Sequence, residues 1–376
     1  MHRLRVLIVG PSFDILGGQA VQVGRLLERL RQEPALDVGF LPINPRLPGL
    51  LRKLQSIKFV RTLVTSIAYL LSLLTRVRKY DVIHIFSASY VSFVIAPTPA
   101  ILVSKLFGKK VILNYHSGEA DDHLRRWPRT AIPTIKLADR LVVPSEYLED
   151  VFANFHLPAS PIYNLIETDK FRFRKRDPLK PRFLSNRNFE AHYGVDRVLQ
   201  AFAVIQKQLP EATLTVAGNG PERDKLQQVA VDLNLNKTTF VGRVEHDKIV
   251  ELYDSCDVFL NGSLIDNQPL SILEAFACGL PIVTSNAGGI PYMVENERTG
   301  LIVECNDSDG LAQAALRLFA EPNLTTRLIN EGRRECNKYS WAAVRDQWLD
   351  LYFQLADVAI ENRPENRLND KHHAVS

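Results

Sequence analysis

Two acidic residues lie eight positions apart in the segment DNQPLSILEAFACGLP, residues 266–281. Pro269 suits the first position of a helix and Gly279 suits its end, so the segment predicts a short helix of about ten residues. Glu274 would lie among apolar residues in this helix, and a buried carboxylate needs hydrogen-bond donors, which sugar hydroxyl groups could supply. The alternative places Glu274 on a solvated face and Asp266 in an Asx turn, and spacing alone favours this alternative.

The start of the same predicted helix could bind an anion. The first backbone N–H groups of a helix have no partner within it, and here they belong to residues around Leu270 and Ser271. Because these groups and the helix dipole favour negative charge, the helix start suits a phosphate group.

Two glycines after the first predicted strand could also contact phosphate. Gly17 and Gly18 directly precede an amphipathic helix. Glycine lets a ligand approach the backbone, although a tight turn that needs a positive φ explains the same residues. The loop lacks the GxGxxG spacing, so a dinucleotide site is poorly supported.

A histidine and an arginine follow two other predicted strands. His116 ends the strand in NYHSGEADDH and could bond a hydroxyl or phosphate group or take part in proton transfer, or it could simply be exposed. Arg187 follows the strand RFLSN. Arginine is a planar, always charged partner for diphosphate, so Arg187 is a candidate ligand for one.

The sequence predicts no metal site and no other cofactor. Asp121, Asp122 and His123 lie together, but no further ligand position is evident beside them. Asp307 and Asp309 form the chain's only DxD motif, and their context predicts the N-cap of a helix.

The chain has 376 residues, 46% of them hydrophobic and 23% charged, which is globular composition and exceeds what one compact core usually supports. Apolar strands alternate with amphipathic helices, and the alternation restarts after a proline-rich join near residues 160–182. This pattern predicts an α/β protein with two doubly wound Rossmann-like domains facing a central cleft. We expect the domains at residues 1–165 and 166–340, a C-terminal helix over 341–360 packing back toward the first domain, and a disordered tail over 361–376.

Charge is divided unevenly along the chain. Residues 1–165 contain 21 Lys and Arg against 12 Asp and Glu, a net charge of +9, whereas the remainder has a net charge of −5. A basic first half favours an acidic partner such as phosphate or an anionic membrane. The most apolar stretch, residues 62–75, is too short to span a bilayer and has basic residues on both sides. It suits a helix lying on anionic lipid or, equally, a packed core helix.

Together these segments resemble the retaining glycosyltransferases of family 4, which have the GT-B fold. The blocks TLTVAGNGPERDKL, FVGRV, LYDSCDVFLNGS, LSILEAFACGLPIVTSNAGGIP and ENERTGLIV occur in that order within residues 213–304, and YNLIETDKF resembles the segment that opens the family's second domain. The resemblance covers nearly the whole chain. It implies transfer of a sugar from a nucleotide donor, with retention of the anomeric configuration and without a required metal.

The resemblance also implies roles for particular residues. Glu274 resembles the second acid of the family's E-x7-E motif, which bonds the donor ribose, and Asp266 falls on the first acid, which contacts hydroxyl groups of the donor sugar. Leu270 and Ser271 fall where backbone amides meet the diphosphate and the sugar. Arg187 matches the family's diphosphate arginine.

Four more positions enter the implied donor site. Asn188 lies next to the diphosphate arginine, and Gly17 and Gly18 match the family's first glycine loop. His116 matches the strand-end histidine beside the transferred sugar. The resemblance therefore makes His116, Asp266 and Arg187 the predicted catalytic residues.

The chain departs from the family pattern at four positions. The first acid is usually Glu and here is Asp266, and the lysine usually found five residues after the arginine is replaced by His192. Pro269 replaces a usual glycine, and Tyr292 replaces an acid. These departures leave the identity of the donor open.

We predict a hexosyltransferase that moves a sugar from a nucleotide-diphosphate-sugar to a glycan or lipid-linked acceptor, in polysaccharide or glycolipid biosynthesis. We expect a cytoplasmic location, because the N-terminus begins directly with a strand and the four cysteines are widely spaced. The segment from Leu50 to Lys79 would rest on the membrane. No module typical of nucleic-acid binding is present. The alternatives are a catalytically silent sugar-nucleotide-binding subunit and a nucleotide-sugar epimerase of related fold.

Overall fold

The structure is a computed structural model that describes residues 3–13, 17–47, 57–245 and 248–357. It divides into two compact units. Unit 1 contains the chain up to Leu165 and again from Val344 onward, and unit 2 contains Ile166–Ala343. Three predicted segments lie outside the described residues: the tail over 361–376, the last residues of the C-terminal helix (358–360) and the start of the membrane segment (50–56).

Unit 1 is built on a parallel sheet of six strands in the spatial order β2-β1-β3-β4-β5-β6. The strands are β1 (Leu4–Gly10), β2 (Leu36–Pro42), β3 (Val82–Ser87), β4 (Lys110–Tyr115), β5 (Arg140–Val143) and β6 (Ser160–Pro161). In register, Val6 of β1 pairs with Val38 of β2 and with Val82 of β3. All six residues of β3 are buried, as expected for a central parallel strand that is covered on both faces.

The helices of unit 1 lie between these strands and after them in the chain. They are α1 (Gly18–Arg31), α2 (Lys58–Arg76), α3 (Tyr90–Ile95), α4 (Pro97–Leu106), α5 (Ala120–Arg126), α6 (Pro128–Ile135) and α7 (Glu146–Ala153). A short 3₁₀ turn, Val77–Lys79, extends α2. The core of the unit forms where apolar residues of the strands meet the buried sides of these helices.

Unit 2 is built on a second parallel sheet of six strands, in the order β12-β11-β10-β7-β8-β9. The strands are β7 (Arg182–Asn186), β8 (Thr213–Ala217), β9 (Thr238–Gly242), β10 (Val258–Asn261), β11 (Ile282–Ser285) and β12 (Leu301–Val303). The helices are α8 (Val195–Gln208), α9 (Arg223–Asp232), α10 (Ile249–Ser255), α11 (Leu270–Cys278), α12 (Ser308–Ala320) and α13 (Pro322–Cys336). Its core is separate from that of unit 1.

The last described helix, α14 (Trp341–Leu355), enters unit 1 at Val344. The ring of Trp348 stacks on His84 with 4.8 Å between the ring centroids, and the hydroxyl group of Tyr352 lies 2.7 Å from Nδ1 of His84. Arg345 donates two hydrogen bonds to the carboxylate of Glu33, at 2.8 and 2.7 Å. Unit 1 is therefore completed by residues from near the end of the chain.

The strand order of each sheet reverses at one point. In unit 1 the chain runs from β1 outward to β2 and then returns to β3, so the switch point lies between β1 and β3. In unit 2 the switch point lies between β7 and β10. Loops that follow the strands at a switch point line a crevice at the carboxyl edge of the sheet, where ligands of such sheets bind.

The predicted fold class is confirmed, since both units are α/β with parallel sheets. Three strands were not predicted: β2, β6 and β12, which lie at sheet edges. An edge strand is covered less completely than a central strand, so its sequence need not form a continuous apolar run. In β2, for example, only three of the seven residues are buried.

Candidate active site

Two strand-end segments meet at the switch point of unit 2. Arg187 follows β7 and Asp266 follows β10, and these strands are neighbours in the sheet. Because parallel strands end at the same edge, the loops that follow them lie side by side. The fold thus brings together an arginine and an aspartate that are 79 positions apart in the chain.

The guanidinium group of Arg187 has three neighbours. Its Nη2 donates to Oδ2 of Asp266, its Nη1 donates to Oγ of Ser271 at 3.1 Å, and its carbon atom Cζ lies 4.1 Å from the ring centroid of Tyr193. The Nε atom is buried and has no hydrogen-bond partner among the described residues. The side chain is only 9% exposed, so its charge is weakly screened by water and can act strongly on a nearby anion.

Asp266 is fixed by its own loop and by the loop after β11. Its Oδ2 also accepts from Oγ of Ser263 at 3.1 Å, and its Oδ1 accepts from the backbone N–H of Asn267 at 3.0 Å. The N–H of Gly289 donates to the carbonyl oxygen of Asp266 at 3.1 Å. Gly288 has a φ of +49°, and a Cβ atom there would lie 2.1 Å from the same carbonyl oxygen. Glycine is therefore required at this position to shape the Asp266 loop.

A matching contact holds the Arg187 loop. The N–H of Arg187 donates to the carbonyl of Ala217 at 3.1 Å. Gly218 has a φ of +142°, and a Cβ atom there would lie 1.9 Å from the carbonyl oxygen of Arg187. The glycines after β8 and β11 thus press against the segments that carry the two charged residues.

Helix α11 begins beside this ion pair. It starts at Leu270, one residue later than predicted, and Pro269 is its N-cap rather than its first helical residue. The backbone N–H groups of Leu270 and Ser271 lie in the first turn, where a helix offers no internal partners. The helix start, the Ser271 hydroxyl group and the Arg187 guanidinium group consequently form one positively polarised cluster.

Glu274 is buried in the middle of α11, with 6% of its surface exposed. All residues from Ser271 to Cys278 are buried, so the alternative of a solvated face is wrong. The hydroxyl group of Tyr253, a residue of α10, lies beside this carboxylate and is influenced by its negative charge.

Tyr253 connects three parts of the site. Its hydroxyl group donates to the carbonyl of Ser271 at 3.1 Å and accepts from Nδ2 of Asn186 at 3.0 Å. Burial, and then the charge of Glu274, hold the pKa of Tyr253 well above its usual value, so the phenol stays protonated. One buried hydroxyl group therefore lies between the end of β7, the first turn of α11 and the side chain of Glu274.

Tyr253, Tyr193 and Ser263 were not among the predicted site residues. Tyr253 lies in the block LYDSCDVFLNGS, where helical periodicity places it on a buried face but says nothing about its hydroxyl group. Tyr193 directly follows His192, whose backbone carbonyl accepts from the N–H groups of Leu264 and Ile265. The predicted donor residue Asn188 is exposed.

In unit 1, the glycine loop and His116 meet at a single carbonyl group. Gln19, the residue after Gly18, donates from Nε2 to the carbonyl of Ser87 at 2.8 Å, and the backbone N–H of His116 donates to the same oxygen at 3.2 Å. Ser87 ends β3, so this contact lies at the switch point of unit 1. Gly17, Gly18 and His116 are thus neighbours within that unit.

The backbone conformation at Gly17 does not require a glycine. Its φ is 167°, which is extended backbone that any residue adopts, so the predicted alternative of a positive-φ turn is wrong. A Cβ atom at Gly17 would meet none of the described atoms within 4 Å. Packing within the described chain therefore does not require a glycine here.

His116 is uncharged at neutral pH. Its ring stacks on Phe86 with 5.0 Å between centroids, and burial lowers its pKa to about 3. The residue as a whole is half-buried, but its Nε2 atom is buried and has no hydrogen-bond partner among the described residues. A neutral imidazole can donate or accept one hydrogen bond through this atom but cannot supply a positive charge.

Within the described residues, no group of three or more His, Cys, Asp or Glu side chains could hold a metal ion. Asp121 and Asp122 instead pair with Arg125 and Arg126 on the surface of α5. Asp307 caps α12 as predicted, since its carboxylate accepts from the N–H of Gly310 at 2.7 Å.

Comparison with known families decides what kind of protein this is. Residues 16–170 match the family described as Glycosyltransferase Family 4, and residues 167–335 match the domain described as Glycosyl transferases group 1. The chain belongs to glycosyltransferase family 4. The two matches together run from the glycine loop to the end of α13, so the family covers both units.

Named relatives of this family 4 protein are transferases and synthases. It is 26% identical over 288 residues to the GDP-mannose-dependent alpha-(1-6)-phosphatidylinositol monomannoside mannosyltransferase of Mycolicibacterium smegmatis, covering 71% of this chain and 74% of the relative. It is 28% identical over 294 residues to the glycogen synthase of Mycobacterium tuberculosis, covering 74% and 70%.

Solved structures show the same fold. The Anabaena protein HepE, solved in complex with UDP and glucose, has a TM-score of 0.71 at 17% identity and covers 93% of this chain and 99% of its own. Sucrose-phosphate synthase from Thermosynechococcus elongatus has a TM-score of 0.69 at 20% identity and covers 94% and 99%. The predictions of the GT-B fold and of a glycosyltransferase enzyme are therefore confirmed, and the silent-subunit and epimerase alternatives are not favoured.

Proposed function

We propose that this enzyme transfers a hexose from a nucleoside-diphosphate-sugar to a lipid-linked or glycan acceptor, with retention of configuration. The observation that carries the proposal is the cluster of Arg187, Asp266 and Ser271 at the switch point of unit 2, next to the start of α11. A diphosphate needs positive potential, and a sugar needs hydrogen-bond acceptors for its hydroxyl groups. This cluster offers both within one side-chain network.

In the proposed reaction, the bond between the anomeric carbon and the diphosphate oxygen breaks. The acceptor hydroxyl oxygen forms the new bond on the same face, and its proton passes to an oxygen of the departing diphosphate. The products are a glycoside and a nucleoside diphosphate, so no protein nucleophile is needed. The charge that develops on the diphosphate is met by Arg187 and by the N–H groups of Leu270 and Ser271.

The remaining predicted residues complete the donor site in this proposal. Glu274 accepts from the ribose hydroxyl groups, and Asp266 accepts from hydroxyl groups of the transferred sugar. Asn188 borders the diphosphate. Gly17 and Gly18 let the diphosphate approach their backbone, which agrees with the finding that a Cβ atom at Gly17 would meet no described atom within 4 Å. Neutral His116 holds a sugar hydroxyl group through Nε2.

We further propose that the reaction needs no metal ion, because Arg187 and the start of α11 supply the positive charge that a metal would otherwise bring. We propose a cytoplasmic location at the inner face of a membrane, where a lipid-linked acceptor would lie. The basic and apolar character of the first half supports this location. Nucleic acid is not a proposed partner.

The proposal is tested by the thermal stability of the purified protein with UDP, GDP, ADP and CMP at matched excess. A ligand at 100 times its Kd adds about 2.7 kcal/mol of stability, which raises the unfolding midpoint measurably. One diphosphate should stabilise the wild type and fail to stabilise Glu274→Gln. Stabilisation of both proteins by all four nucleotides, or of neither by any, would overturn the proposed donor site.

A further inference from the structure

We propose that α2 and α4 together present a surface that docks onto a bilayer containing anionic phospholipid. The inference deepens the proposed membrane location, and it does not depend on the proposed donor site in unit 2. It rests on the two sides of α2, on the helix beside it, and on the charge around both.

Helix α2 is apolar on two opposite sides. One side carries Tyr69 and Leu73, which are buried in the core of unit 1. The other side carries Leu63, Ile67 and Leu71, with 64%, 51% and 58% of their surfaces exposed. A water-facing helix normally has polar residues on its outer side, so this outer side is suited to an apolar environment.

Helix α4 continues the exposed apolar surface. Leu102 and Leu106 lie one turn apart on its outer side and are 51% and 74% exposed. The hydroxyl group of Tyr69 on α2 donates to the carbonyl of Ala96 at the start of α4, at 3.0 Å. The guanidinium carbon of Arg78 lies 4.9 Å from the ring centroid of Phe107, next to the end of α4. The two helices are therefore neighbours. We call Leu63, Ile67, Leu71, Leu102 and Leu106 the outer apolar face.

The outer apolar face has no acidic residues in its sequence neighbourhood. Between Asp37 and Glu119 the only acid is Asp81, whereas eleven residues are Lys or Arg. Asp81 is itself paired with Arg5. Arg61, Arg78 and Lys79 are exposed near the two ends of α2. Apolar side chains between exposed cations match the acyl region and the anionic headgroups of a bilayer.

The same charges disfavour a second copy of the chain as the occupant. A two-fold symmetric contact would place this face against itself and bring its basic residues together. Like charges placed opposite each other disfavour binding. An anionic bilayer, in contrast, attracts each of these basic residues.

The helix is long enough to cross a membrane, yet the structure favours a helix that lies on one. Within the described residues, Val60–Lys79 is the one helix that meets the length and hydropathy of a span, although residues 62–75 were expected to be too short. A crossing helix would have to withdraw Tyr69, Leu73 and Val77 from the core of unit 1. Docking by the outer apolar face leaves those contacts intact.

Vesicle flotation tests the inference on the full-length protein. The wild type is mixed with vesicles of phosphatidylcholine alone or of phosphatidylcholine with phosphatidylglycerol. The variants are Leu71→Gln with Leu106→Gln, and Arg61→Gln with Arg78→Gln. The matched control is Val231→Gln. Val231 is an apolar residue of α9 in unit 2, and it is 68% exposed.

We expect the wild type and Val231→Gln to float with the phosphatidylglycerol vesicles, and both double variants to bind at least tenfold more weakly. Wild-type protein that does not float, or a leucine double variant that floats equally well, would overturn the inference. So would a wild-type dimer that the leucine variants convert to a monomer, because the face would then be an interface between copies. Stabilisation by nucleoside diphosphate is measured on the same samples. If the wild type is stabilised by nucleoside diphosphate but does not float, this inference fails and the proposed donor site stands. If the wild type floats but is not stabilised, the proposed donor site fails and this inference stands.

Discussion

The hydroxyl group of Tyr253 donates a hydrogen bond of 3.1 Å to the backbone carbonyl of Ser271. The same hydroxyl group contacts Glu274 and accepts from Asn186. The first turn of α11 and the buried acid one turn later are thus held by a residue of another helix.

Tyr253→Phe should weaken binding of the nucleoside diphosphate about five- to tenfold, because one net hydrogen bond contributes roughly 1 kcal/mol. Calorimetric titration measures the effect. Tyr69→Phe is the control, since it also removes a buried hydroxyl group that donates to a carbonyl, but in unit 1. Both variants should lose similar stability, and equal nucleotide affinity in the two would show that Tyr253 has no role in the site.

Asp266→Asn should separate sugar transfer from diphosphate binding. The substitution keeps the shape of the side chain but removes the charge that pairs with Arg187, so the guanidinium group becomes more available to phosphate. Transfer should fall about 10- to 100-fold, since hydrogen bonds to a charged group contribute roughly 1.5–3 kcal/mol. Nucleoside diphosphate should bind as well as before or more tightly.

Arg187→Gln is the companion variant, and it should lose both transfer and diphosphate binding. Measurement of Kd and of initial rates on both variants gives the comparison. If Asp266→Asn weakened diphosphate binding as much as Arg187→Gln, the two residues would not have the different roles proposed.

Gly288→Ala should destabilise the protein by about 2 kcal/mol or more, because a Cβ atom would clash with the carbonyl of Asp266 in a left-handed backbone conformation. Urea denaturation measures this loss. The loop that carries Asp266 should shift as well, so any folded variant should transfer sugar more slowly than the wild type.

Gly17→Ala, in contrast, should leave stability nearly unchanged and should lower activity. The added methyl group meets no atom of the described residues within 4 Å and the backbone is extended, so stability should change by less than about 0.5 kcal/mol. If the diphosphate approaches this backbone, the methyl group stands in its path and transfer should fall. Wild-type activity in Gly17→Ala would remove the glycine loop from the donor site.

Acid should destabilise unit 1 through His84. Burial, and then the neighbouring His116, lower the pKa of His84 to about 3, whereas an unfolded histidine titrates near 6.5. Between these values the unfolded chain binds the extra proton, so the free energy of unfolding falls as the pH falls. The slope from this one group is at most about 1.4 kcal/mol per pH unit.

Urea denaturation of the wild type and of His84→Gln over this range checks the prediction. Above about pH 6.5, the unfolded pKa of a histidine, the contribution of His84 to the free energy of unfolding should not change with pH. The variant should show a shallower loss toward acid than the wild type. Parallel slopes in the two proteins would mean that His84 is not the titrating group.

Much of the fold could be predicted, because central parallel strands are buried on both faces and form unmistakable apolar runs. RFLSN, the central strand β7, was located to the residue. The edge strand LDVGFLP was not, since its partial burial removes the continuous run. The predicted start of α11 is one residue too early, because proline favours the first helical position whereas Pro269 is the N-cap.

The candidate site was less predictable. Arg187 and Asp266 were identified separately, but their pairing depends on the strand order, which places β7 beside β10. Tyr253 was missed because a buried tyrosine in an apolar helix is usually a core residue. Only the three-dimensional arrangement shows that its hydroxyl group faces Ser271 and Glu274.

The return of α14 to unit 1 also bears on how the chain is synthesised. Unit 2 is one continuous stretch, whereas unit 1 is built from both ends of the chain. Unit 2 can therefore fold while the last residues are still being made. Unit 1 must wait for Trp348 and Tyr352 before His84 is covered. A chain that ended before Val344 would keep all of unit 2 and release a first unit that lacks part of its core.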